Sequence, residues 1–174
     1  MTDLERQIEP KPQSDPFGGK LVLVLLDNKH GPSLKGGRSL WGLQRDLTYR
    51  RGDPPETITV RAGFPTDLAS IPRWAWFILP PDGPWVKAAI VHDYLYATSG
   101  TGVWKRKGPA VTRERPYSRA EADVIMREAM AARGVGTLRR NIIYLAVRLG
   151  GAGGWGQEDQ IRRRGSADEA YAIN

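Results

Sequence analysis

The run His92-Asp93-Tyr94-Leu95-Tyr96 brings together side chains able to do chemistry. Imidazole titrates near neutral pH and is the commonest general base. It serves best when its second ring nitrogen is held by a carboxylate that fixes the tautomer. His92 and Tyr96 are four residues apart, so on a helix they stack on one face, with Asp93 one step round. The carboxylate expected to hold them is Asp123. After Ser118 the apolar stripe is Ala122, Ile125, Met126, Ala129 and Met130. Asp123 falls about 60° from Met126 and about 20° from Met130 around a helix. It therefore borders the buried face, where a carboxylate needs a partner. Antiparallel packing of the two helices would offer it His92 or Tyr96. Catalytic roles are thus expected for His92, Asp123 and Tyr96. The competing expectation is a buried polar clasp between two helices, with Asp93 bonded to a loop amide. A general base needs an open cleft, and a clasp does not.

A second cluster is Gly63-Phe64-Pro65-Thr66-Asp67-Leu68-Ala69-Ser70-Ile71-Pro72. Carbonyls of a tight loop with nearby carboxylates, Asp93 and Asp67, form an oxygen set suited to calcium. Alternatively, Asp67 or Ser70 caps a short helix and the prolines fix the turn. The segment Thr101–Arg119 carries Lys105, Arg106, Lys107, Arg113, Arg115 and Arg119 with one acid, Glu114. Lys105, Arg106 and Lys107 are expected to bind phosphates of lipid or nucleic acid, with Trp104 and Tyr117 at that interface. A solvated loop is the plainer alternative. Trp74, Trp76, Phe77 and Trp85 are expected in the core, with a membrane-contact patch as the other possibility. With only His30 and His92, a zinc peptidase is not supported, and no Gly-x-Ser-x-Gly elbow marks a nucleophile. The absence of cysteine removes disulfides and thiolate metal sites.

The elements that must position these groups are legible in outline. The chain has 174 residues, a net charge of +7 and a mean hydropathy of −0.45. That suits one domain with an affinity for anionic partners. No stretch approaches the ~18 apolar residues of a membrane span, and none reads as a signal peptide. Residues 1–17 are expected to form a polar arm, 18–150 a single α+β domain, and 151–174 a Gly-rich linker and charged tail. Strands are expected over Leu21–Leu26, Arg38–Tyr49 and Thr57–Ala62, forming one small antiparallel sheet. Trp85–Thr98 reads as a helix with Pro84 at its first turn. Ser118-Arg119-Ala120-Glu121 is a capping box opening a helix to Arg133. Thr137 is expected to cap a third helix to Leu149, apolar nearly all round and therefore well buried. The fold class is α+β, a small N-terminal sheet packed with a C-terminal bundle of about three helices.

The segments Gly63–Pro72, Ala89–Tyr96 and Ser118–Asp123, with Tyr144 and Arg148, resemble the domain-of-unknown-function family 1353 across residues 18–150. That resemblance implies a tailed-phage or prophage origin and carries no established activity. His92-Asp93 followed by Tyr96, with Asp123 on a partner helix, is similar more loosely to phospholipase A2. By that likeness His92 would activate water, Asp93 would bind calcium, and Tyr96 and Asp123 would hold His92. The flanking cysteines of the secreted enzymes are absent, and their calcium loop is matched only in general character. Three function classes follow. One is a hydrolase, calcium-assisted, acting on an ester of the host envelope. Another is a virion or tail-assembly component bound to other phage structural proteins, and the third is a host-factor-binding protein. Each places the chain in the host cytoplasm during synthesis, and the first two extend to the virion.

Overall fold

The computed structural model describes residues 15–26, 40–66, 83–104 and 109–156. Asp67, Ser70, Trp74, Trp76, Phe77 and the basic trio Lys105, Arg106 and Lys107 lie outside the described residues, as do 1–14 and 157–174.

Among the described residues, six short strands precede three helices. The strands are β1 (Phe17–Gly18), β2 (Leu23–Leu26), β3 (Leu40–Leu43), β4 (Leu47–Arg51), β5 (Glu56–Val60) and β6 (Pro65–Thr66). The helices are α1 (Val86–Ala97), α2 (Arg119–Ala132) and α3 (Thr137–Gly150), followed by a 3-10 turn at Gly151–Gly154. The α+β class holds, but the strands form two antiparallel sheets, not one: β1-β4-β5 and β2-β3-β6. The stretch expected as a single strand, Arg38–Tyr49, supplies one strand to each. It breaks at Gln44-Arg45-Asp46, where Gln44 N–H bonds Val22 O and the Asp46 carboxylate accepts from Ala62 N–H. Leu43 and Leu47 are buried on either side of the break.

Strand β4 alternates as a half-buried strand should, with Leu47 and Tyr49 inward. They face Val60 and Ile58 of β5 across the ladder. The hairpin between them turns at Gly52, whose positive φ suits glycine. The free edge of β5 is covered by the segment after α1: Thr59 N–H bonds Ala110 O, and Thr112 N–H bonds Thr57 O. Phe17, the last residue of the expected arm, already belongs to a sheet and packs on Tyr49 with ring centroids 4.9 Å apart.

Helix α1 runs through the middle of the core. Ala88 to His92 and Tyr94 to Ala97 are all buried, so the helix is apolar on nearly every side. It stops where Ser99 and Gly100 take positive φ. Helix α2 begins with the expected capping box: Ser118 Oγ accepts from Glu121 N–H, and the Glu121 carboxylate accepts from Ser118 N–H. These bonds, the one to the Ser118 backbone foremost, hold the Glu121 carboxyl at about 2. Arg113 and Arg115 both donate to Glu121 Oε1.

Two expectations for α3 fail. Thr137 is the first helical residue, not the cap, because Gly136 takes the cap position and no side chain caps the end. The helix is also not well buried. Only Ile143, Ala146 and Val147 are enclosed, while Leu138, Leu145 and Leu149 are 77%, 55% and 85% exposed. Its apolar residues outnumber the positions α2 can cover, and the surplus faces outward.

Candidate functional site

Three helices meet at one carboxylate. Asp123 projects from the buried face of α2 and is fully enclosed. Its Oδ1 lies 2.9 Å from His92 Nε2 and accepts from Tyr96 Oη at 2.6 Å. Its Oδ2 accepts from Arg148 Nη1 of α3 at 2.7 Å. His92 and Tyr96 come together as their four-residue spacing on α1 dictates, ring centroids 4.1 Å apart. The residues expected to act together, His92, Tyr96 and Asp123, are in direct contact.

The electrostatics fix the protonation pattern. Burial alone would raise the Asp123 pKa. Hydrogen bonds from His92, Tyr96 and Arg148 outweigh it and hold the carboxyl below its usual range. Asp123 is therefore an anion, and a bond between it and His92 Nε2 requires Nε2 to carry the proton. The lone pair of neutral His92 then sits on Nδ1. That nitrogen is buried and makes no hydrogen bond among the described residues. The nearest carboxylate oxygen, Asp93 Oδ1, is 3.9 Å away. Burial also works against the charged imidazole, but bonding to Asp123 and the nearness of Asp93 more than offset it, so the His92 pKa is raised. Burial first, then the Asp123 anion, push the Tyr96 phenol up, so it remains a donor.

Asp93 faces a different neighbour. Its Oδ2 accepts from Thr66 Oγ1 at 2.8 Å. Thr66 ends β6, so Asp93 is tied to the start of the segment expected to carry calcium ligands. A side-chain hydroxyl of that segment is thus one partner of Asp93. Among the described residues, no group of three or more His, Asp or Glu side chains is arranged to hold a metal.

A glycine turn roofs the network. A Cβ on Gly151 would lie 2.8 Å from Tyr96 Oη, so the backbone approaches as closely as only glycine allows. Trp155 meets the Tyr96 ring edge-on at 5.1 Å, and Gly156 N–H bonds Tyr96 O. With this cover and its helix neighbours, His92 is only 3% exposed.

The aromatics of the basic loop are not at an interface. Trp104 and Tyr117 are buried, Trp104 edge-on to Phe64 at 5.0 Å and Tyr117 donating to Glu56. Trp85 lies in the core as expected. The residue roles not anticipated are those of Arg148 and Thr66. Arg148 had a signal: it is the one basic residue in the last turn of α3.

A family model described as "Protein of unknown function (DUF1353)" matches residues 41–147. The chain belongs to this family. No curated protein and no solved structure matches it. The DUF1353 match runs from β3 to the last full turn of α3 and contains His92, Asp93, Tyr96 and Asp123. Arg148 lies one residue beyond it. No helix among the described residues of this DUF1353 chain is long and apolar enough to cross a membrane.

Proposed function

We propose that this chain is a hydrolase in which His92 is the general base through Nδ1, acting on an ester of the host envelope in a phage or prophage setting. One observation carries the reading. The imidazole is clamped at Nε2 by an ionised carboxylate, and Nδ1 is left without a hydrogen bond among the described residues. In a purely structural clasp, an orphaned buried polar atom costs about 1–3 kcal/mol with nothing in return. In a base, that lone pair is the working group.

The chemistry balances simply. Water oxygen bonds to the ester carbonyl carbon while its proton passes to His92 Nδ1. The resulting imidazolium keeps its Nε2 proton, donated in a hydrogen bond to Asp123, and its new Nδ1 proton faces Asp93. That proton then goes to the leaving alkoxide as the ester bond breaks. Tyr96 and Arg148 act on Asp123, so they are positioning residues.

Calcium belongs to the same proposal. Thr66, within the candidate segment Gly63–Pro72, is joined by a hydrogen bond to Asp93, the only carboxylate beside His92 among the described residues apart from Asp123 on Nε2. Asp93 and Asp67 would be the side-chain ligands, with loop carbonyls supplying the rest. The ion would polarise the substrate carbonyl.

A second reading is favoured by a different observation: His92 is closed off and one anion ties three helices together. In that reading the chain is a virion or tail-assembly component, and the cluster only clasps the bundle. Ester and phospholipid hydrolysis by wild type and His92→Ala, with calcium or with chelator, separates the two. Turnover that needs His92 supports the hydrolase. Equal, absent turnover in every substrate class rejects it. Lys105, Arg106 and Lys107 are proposed to hold anionic headgroups for either function, and vesicle binding by a triple Ala variant tests them.

A further inference from the structure

We infer that the outward face of α3 docks an acidic amphipathic helix of a partner protein. Leu138, Ile142, Leu145 and Leu149 follow one another at spacings of four, three and four. On a helix they fall within an arc of about 60° and extend about 16 Å along the axis. The three leucines are more than half exposed and Ile142 is half-buried. None of them is needed to close the core, which α3 meets through Ile143, Ala146 and Val147. Exposed leucines at this density are not neutral surface.

Width and charge choose the occupant. A two-row stripe at heptad spacing is the seam of a helix pair, whereas a helix lying in a lipid surface presents a broader apolar face. Here polar Asn141 stands directly beside Leu145, which narrows the stripe on that side. The flanks are cationic. Arg139 borders one side, held over the Trp85 ring at 5.4 Å. On the other side, past Arg148, which is paired with Asp123, Arg127 covers Tyr144 at 4.9 Å. Between Thr137 and Gly150 there is no Asp or Glu. A second copy of α3 would set arginine against arginine, and flanking charges of this kind select partners. The complementary seam is Leu-rich with Glu or Asp on both edges.

The probe is a fluorescent three-heptad peptide with Leu at the seam and Glu at the flanks, whose own Glu–Glu repulsion discourages self-pairing. Its anisotropy is measured with the full chain. Saturable binding is expected, weakened by salt. It should be at least tenfold weaker for Leu145→Ser/Leu149→Ser, and absent for the same peptide with Lys at the flanks. The two leucines are exposed, so the double variant should keep its circular dichroism and melting. No binding of the Glu peptide overturns the inference, as does equal binding by the double variant or by the Lys peptide. A wild-type dimer that the double variant loses in sedimentation assigns the face to a second copy instead. Vesicle binding (phosphatidylglycerol) that the variant loses, without peptide binding, assigns it to a membrane. Each of these also overturns the inference.

Discussion

His92 Nε2 and Asp123 Oδ1 lie 2.9 Å apart across the α1–α2 interface, and the carboxylate is an anion. This pairing sets the tautomer of the ring. Nitrogen-detected NMR should show His92 with its proton on Nε2 at neutral or mildly alkaline pH. His30 is the only other histidine, so two ring systems suffice for assignment. Asp123→Asn should abolish that preference. If hydrolysis is detected, the variant should lose at least a hundredfold in kcat, comparable with the loss expected when a base is misoriented.

The pH dependence follows from the raised His92 pKa. A base works when neutral, so the acid limb of kcat/KM should lie above the ordinary imidazole value of about 6.5. For stability the direction is opposite. A raised pKa in the folded state contributes stability that is full below about 6.5 and is lost as pH climbs through the folded value. Melting across pH 5–9, with His92→Gln as reference, checks this. A wild-type excess that grows with pH would contradict it.

Arg148→Met removes a donor and a positive charge from Asp123. The carboxyl should rise in pKa, and the unneutralised anion should draw the His92 pKa further upward. The expected readout is an NMR titration of His92 displaced to higher pH, with Arg148→Lys falling between the two. A purely packing role for Arg148 would leave that midpoint unmoved.

Gly151→Ala should disturb Tyr96, because the added methyl meets Tyr96 Oη at 2.8 Å and the ring at 3.2 Å. A destabilisation of about 1–3 kcal/mol is expected from overpacking. Gly153→Ala, whose added Cβ would meet no atom within 4 Å, should be close to neutral. Equal melting temperatures for the two variants would refute the close approach of turn and phenol.

Ser118→Ala removes one half of the capping box and should cost about 1 kcal/mol. Glu121 contributes from its depressed pKa of about 2. That stability is present above the ordinary carboxylate range and is lost as pH falls toward 2. Acid unfolding of Glu121→Gln should therefore show a shallower loss between pH 4 and 2.

Local signals predicted the helices well. Ser118 and Glu121 gave α2 its start, and the spacing of His92, Tyr96 and Asp123 anticipated their meeting, because helical periodicity is a local property. The sheets were less legible. The break between Leu43 and Leu47 depends on Val22 and Ala62, which are distant in sequence, so Arg38–Tyr49 looks continuous when read alone. Leu138, Leu145 and Leu149 misled in the other direction, since apolarity does not reveal whether a covering partner belongs to the same chain. Arg148 stood out only as a basic residue in the last turn of α3, and its pairing with Asp123 depends on how α3 packs on α2, which spacing along α3 does not encode. The closure of the cluster around His92 could not be read from spacing at all.

The burial of α1 on nearly all sides has a consequence for its amide protons. Its hydrogen bonds have no local route to solvent, so exchange should require opening of the whole domain. Val91 to Tyr94 would then report global unfolding directly, and the helix that carries His92 would be the last part of the molecule to lose its shape.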